Sequence, residues 1–103
     1  MSRKTWTANR PNWAHGQKTV TAAGTAEQLP SQAIPDGFDL VVRALLANGG
    51  AIYLGNSQDE AESSTAQIPF TAGNGLTLRV RNVNMVWVDA LVSGEGVDYW
   101  VEV

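Results

Sequence analysis

From residue 17 onward the chain alternates apolar and polar side chains with a period of two. At that period a β-strand sends successive side chains to opposite faces. Val20 and Ala22 alternate with Thr19 and Thr21, a β-branched stretch that stops at Gly24. A short segment from Ala26 to Leu29 runs into the turn residues Pro30, Pro35, Asp36 and Gly37. Phe38, Leu40, Val42, Ala44 and Leu46 form the next set expected to face a core, and Asn48-Gly49-Gly50 turns the chain into Ala51-Ile52-Tyr53-Leu54. Residues 55–66 are polar and read as an exposed loop with room for one helical turn. Residues 67–70 predict a short edge strand, because Pro69 cannot donate to a ladder on both sides. After the turn Ala72-Gly73-Asn74-Gly75, the inward sets are Leu76, Leu78 and Val80, then Val86, Val88, Ala90 and Val92. A final hairpin is expected to turn at Ser93-Gly94-Glu95-Gly96 and return through Val97, Tyr99, Val101 and Val103.

About eight short strands separated by Gly, Asn and Pro turns, without a convincing helix, predict an all-β domain: an antiparallel β-sandwich or small barrel. Residues 1–16 show neither period and read as an extended N-terminal arm, which leaves residues 17–103 as the β-sandwich domain. Six apolar residues break the alternation by sitting in outward register: Val41, Leu45, Met85, Trp87, Leu91 and Trp100. Either the sandwich twists so that they reach a second core layer, or they meet a partner, with Met85, Trp87 and Trp100 the candidate interface.

A chain of 103 residues supports one domain. No apolar run approaches the roughly 20 residues of a membrane helix. The start lacks the apolar core of a secretory signal, so a soluble protein made in the cytoplasm is expected. With no cysteine, neither disulfides nor thiolate zinc ligands are available. The net charge of −3 is unevenly spread: Arg3, Lys4, Arg10 and Lys18 precede the first acid. With Trp6 and Trp13, the arm residues Arg3, Lys4 and Arg10 are the candidate partner contacts, tryptophan giving anchoring area and charge giving register. Four basic residues on a net-acidic chain are a weak footprint for nucleic acid, which is not expected as a partner.

Nothing in the pattern predicts catalysis, and the expectation is a non-enzymatic chain without cofactor or metal. The single histidine, His15, falls in the arm, where a general base would be poorly preorganised. Asp89 and Asp98, read as neighbours on the last hairpin, invite comparison with a glycosidase pair, but two solvated strand carboxylates are the favoured reading. Asp59-Glu60-Ala61-Glu62 lacks the ligand spacing of a calcium loop and reads as solvated. Gly73-Asn74-Gly75 precedes a strand and has no Gly-Lys-Ser/Thr after it, so it is a turn and not a phosphate cradle.

From Val20 to the end, a series of landmarks resembles a family of small bacteriophage virion proteins. They are Val20-Thr21-Ala22-Ala23-Gly24-Thr25 with Leu29, Ile34-Pro35, Val41-Val42-Arg43-Ala44 and Ile52-Tyr53-Leu54-Gly55-Asn56-Ser57. Phe70 with Gly73, Val86-Trp87-Val88-Asp89-Ala90 and Ser93-Gly94-Glu95-Gly96-Val97-Asp98-Tyr99 complete them. The resemblance implies a jelly-roll sandwich at the surface of the virion capsid, and the function expected is a capsid decoration (cement) protein. It would bind the major capsid protein as a homo-oligomer, a trimer being favoured. The alternative expectation is a receptor- or carbohydrate-binding module of a tail fibre or baseplate, with Tyr53, Trp87 or Trp100 stacking on sugar rings. The resemblance brings no catalytic residues, and residues 1–16 lie outside it.

Overall fold

The computed structural model describes residues 13–102 of the chain. They form β1 (Trp13–Thr19), β2 (Glu27–Gln28), β3 (Leu40–Ala44), β4 (Ile52–Gly55), α1 (Gln58–Glu62), β5 (Ile68–Phe70), β6 (Gly75–Leu78), β7 (Trp87–Ala90) and β8 (Gly96–Glu102). A single 3₁₀ turn, Val83–Met85, precedes β7. The strands make two four-stranded antiparallel sheets, in the orders β1-β8-β3-β6 and β2-β7-β4-β5.

The pairings follow one rule. β1 lies beside β8, β2 beside β7, β3 beside β6 and β4 beside β5. This nested pattern is a long antiparallel ribbon folded over on itself, the jelly-roll arrangement. The ribbon closes into two facing sheets through the further pairs β3·β8 and β4·β7. Both strand-face sets expected from the alternation meet in the middle. Val20, Leu29, Leu40, Val42, Ile52, Val83, Val88, Val97 and Val101 are almost wholly buried there.

Three expectations are corrected. First, β7 and β8 belong to different sheets, so residues 91–95 cross the sandwich and do not close a hairpin. β4 and β5 are the one consecutive pair that shares a ladder among the described residues. Second, Leu46 and Val92, read as inward, are exposed (73% and 44%), because their strands end at Ala44 and Ala90 and the alternation lapses in the turns. Third, the last residues of the presumed arm, Trp13, Ala14, His15 and Gly16, are the first half of β1 and pair with β8 along their whole length. The chain turns at 20–25, where a strand was expected through Ala22. The signal was missed because β1 inverts the usual polarity. Its inward side carries Ala14, Gly16 and Lys18, while its outward side carries Trp13, His15 and Gln17.

One helix of five residues is far too short to persist alone. α1 is held by its surroundings. The Ser57 hydroxyl accepts a hydrogen bond from the Glu60 amide, and the Glu60 carboxylate accepts one from the Asn56 amide. Ala61 is fully buried against Gly55, so α1 covers the outer face of the second sheet over β4 and β7.

Candidate interaction surface

The strand directions sort the connections. Residues 20–26, 45–51, 71–74 and 91–95 meet at one end of the sandwich. The connections 29–39, 56–67 and 79–86 meet at the other.

The first end is tied together by hydrogen bonds between loops. Val20 donates its amide to the Glu95 carbonyl, and Gly94 donates to the Val20 carbonyl. The Ala23 amide donates to the Ser93 hydroxyl. Asn48 accepts from the Gly96 amide and donates to the Gly96 carbonyl. Glu95 accepts from the Gly49 and Gly50 amides through its two carboxylate oxygens, at 2.6 and 2.9 Å. Glu95 is the one charged residue in these four loops, and those amides occupy it. At the margin, Lys18 and Glu27 pair at 2.9 Å. The Thr21 amide and Lys18 hold the Glu27 carboxyl below its ordinary pKa. Leu46, Leu91 and Val92 stand exposed on this charge-poor tip. Charge is concentrated at the opposite end, in Asp36, Asp39, Asp59, Glu60, Glu62, Arg79 and Arg81, with Arg79 donating to Asp39 at 2.8 Å.

The outer face of the first sheet has a different character. Register places His15, Trp100, Val41 and Thr77 in one row across β1, β8, β3 and β6. Gln17, Asp98 and Arg43 form the next row. Trp13 is 66% exposed, its ring centre 5.8 Å from that of His15, which lies 6.4 Å from Trp100. The Arg43 guanidinium stands over the Trp100 ring, 5.7 Å from its centre. Arg43 is fixed by a two-pronged bond to Asp98, and that hydrogen bonding, with the charge of the carboxylate, raises the guanidinium pKa. Trp13 lies at the end of β1 remote from that tip.

Of the candidate contact residues, the structure brings together Trp13 and Trp100 through the β1·β8 ladder. Trp87 is elsewhere, half-buried on the outer face of the second sheet and paired with Gly55 beneath α1. Met85 is 37% exposed in the 3₁₀ turn. It rims an open apolar groove of about 140 Å³ with Leu54, Ile68, Leu76, Leu78 and Val80. Arg3, Lys4, Trp6 and Arg10 lie outside the described residues. The tip was missed because it is assembled from loops distant in sequence, whereas His15, expected as a surface or interface histidine, is exposed on β1.

The candidate acids are absorbed by the architecture. Asp89 and Asp98, expected as solvated neighbours on one hairpin, are buried and lie on different sheets. Asp89 accepts from the Gly24 and Ala90 amides. In the acidic segment, Glu62 accepts from the Ala26 amide and Glu60 serves α1. Among the described residues no three His, Cys, Asp or Glu side chains cluster as metal ligands, and no helix is long and apolar enough to cross a membrane. Comparison with protein-family models, with curated proteins and with solved structures returns no match.

Proposed function

We propose that the chain is a non-enzymatic structural protein of a bacteriophage particle, a decoration (cement) protein that seats its charge-poor tip on the assembled head shell. The observation that carries this reading is the tip itself. Four loops converge there with one charge among them, already bonded, and three aliphatic side chains face solvent. Desolvating such a surface strips few charges of water, so the gain from covering Leu46, Leu91 and Val92 is not cancelled by desolvation. The hydrogen bonds between loops preorganise the patch, which lowers the entropy lost on docking. Support also comes from the jelly-roll pairing and from the ordered landmarks of the sequence.

Stabilisation of the shell would follow from mass action. A protein that binds only the assembled lattice stabilises it by about 2.7 kcal/mol when its free concentration is a hundred times Kd. The test uses purified expanded capsids and the full chain. Co-sedimentation with the shell and a raised capsid melting temperature are expected. Leu46→Lys and Leu91→Lys, at exposed positions that leave the fold intact, should each weaken binding at least tenfold. Binding to host cells with no change in capsid melting would overturn this reading in favour of a tail receptor module.

A further inference from the structure

We infer that residues 1–12 of one copy dock on a second copy of the chain, with Trp6 seated in the apolar groove between β5 and β6. The groove is a gap in the side of the sandwich. β6 ends the first sheet, β5 ends the second, and no ladder joins them. Leu54 and Val86, both buried, form the floor. Ile68 and Met85 stand at the rim, 47% and 37% exposed. Apolar side chains thus line an opening that leads down to the core, and covering it removes them from water.

Three observations select the occupant. The first is size. An enclosed apolar cavity of about 150 Å³ holds one benzene ring. This groove, of about 140 Å³ and open on one side, suits one aromatic side chain rather than a length of peptide. Trp6 is the one aromatic residue among residues 1–12. The second is charge. That segment carries Arg3, Lys4 and Arg10 and no acid, whereas the rest of the chain holds four basic and ten acidic side chains. Glu60 lines the groove, its Oε1 fixed by the Asn56 amide, and Asp59 is exposed beside it on α1. Arg79 and Arg81 flank Val80 on the other wall, but Arg79 is paired with Asp39, and acids outnumber these two at this end. With its ring in the groove, the segment sets Lys4 and Arg10 near the acidic rim, which fixes register. The third is place. Trp13 begins β1 at the same charged end that holds the groove. Trp6 precedes it by seven residues, a reach of up to about 25 Å.

The host is a second copy because β1 and β6 are opposite edges of the first sheet. β1 is a seven-residue edge strand with no ladder on its outer side among the described residues, and sandwiches cover such edges. Setting the β1 edge of one copy beside the β5–β6 opening of the next covers that edge and delivers Trp6 in one contact. Docking within a single copy leaves β1 bare. Each copy gives one segment and receives one, a head-to-tail contact that generates a ring when its rotation closes.

The experiment is sedimentation velocity of the full chain across the micromolar range, with Trp6→Ala and Ile68→Lys. Trp6 lies outside the described domain and Ile68 is half exposed, so both variants should keep the far-ultraviolet circular dichroism of the parent. The parent should self-associate, and each variant should do so at least tenfold more weakly. Raising salt from about 0.1 to about 1 M should weaken the parent as well. Trp6→Ala retains the groove and Ile68→Lys retains the tryptophan, so a mixture of the two should form a one-to-one pair. A parent that stays monomeric, self-association that survives both substitutions, or a mixture that does not pair would overturn the proposal. Leu46→Lys, on the tip, should leave self-association unchanged, so failure here and failure of shell binding are read separately.

Discussion

Tyr99 and Gly16 illustrate how tightly single residues are matched across the first sheet. They are register partners, and both face inward. A Cβ placed on Gly16 would clash with the hydroxyl end of the Tyr99 phenol, so the absence of a side chain on β1 is what admits a tyrosine to the edge of the core. Gly16→Ala should therefore cost about 1–3 kcal/mol by overpacking, read as a lower urea midpoint with an unchanged m-value. Burial raises the Tyr99 pKa above its ordinary value of 10.0, with Lys18 acting in the opposite sense. The unfolded chain then gives up this proton at lower pH than the folded one. Stability from Tyr99 is complete below pH 10.0 and declines as pH rises through the folded-state value. Tyr99→Phe should flatten the alkaline limb of a stability-versus-pH curve. An equally steep limb in the variant would remove Tyr99 as its source.

Among the elements, α1 depends most on its neighbours. Ala61 sits where the Cβ of residue 55 would be, and Glu62 reaches back to the Ala26 amide. Gly55→Ala should lift α1 from the second sheet at a cost of about 1–3 kcal/mol. Faster hydrogen exchange at the Ala61 and Ala26 amides, with the central strands still protected, would locate the effect. β1 makes the complementary point. Its one large apolar side chain, Trp13, faces outward, yet it is an ordered strand because every residue of it has a partner on β8. Ladder hydrogen bonds are indifferent to which side chains they carry.

At the scale of the whole molecule the main feature is polarity between the ends. Glu95 is the one charge of the tip and its keystone, since its carboxylate serves two amides of the 45–51 loop from the 91–95 loop. Glu95→Ala should cost about 1–2 kcal/mol, in line with loss of charge-assisted hydrogen bonds that water can partly replace. The Gly49 and Gly50 amides should exchange faster in that variant, while the charged end keeps its protection. Shell binding should weaken in parallel, because the patch would no longer be preorganised. A variant that melts as the parent does and exchanges no faster at those glycines would show that the tip does not depend on Glu95.

The all-β class, most of the turns, the edge position of the Pro69 strand and the inward sets centred on Val42, Val88 and Val97 are legible in the amino-acid order alone. These are local properties, because alternation and turn chemistry are set within a few residues. Which strands pair, the crossing of residues 91–95 between sheets and the separation of Asp89 from Asp98 come only with the tertiary structure. It alone placed Trp13 and His15 beside Trp100 and gathered at one end four loops that carry a single charge. The physical reason is that period two states which face a side chain takes but not which backbone lies alongside. Ladder partners are chosen by the closure of two facing sheets around one core. Residues at opposite ends of the chain become neighbours only when that core is complete.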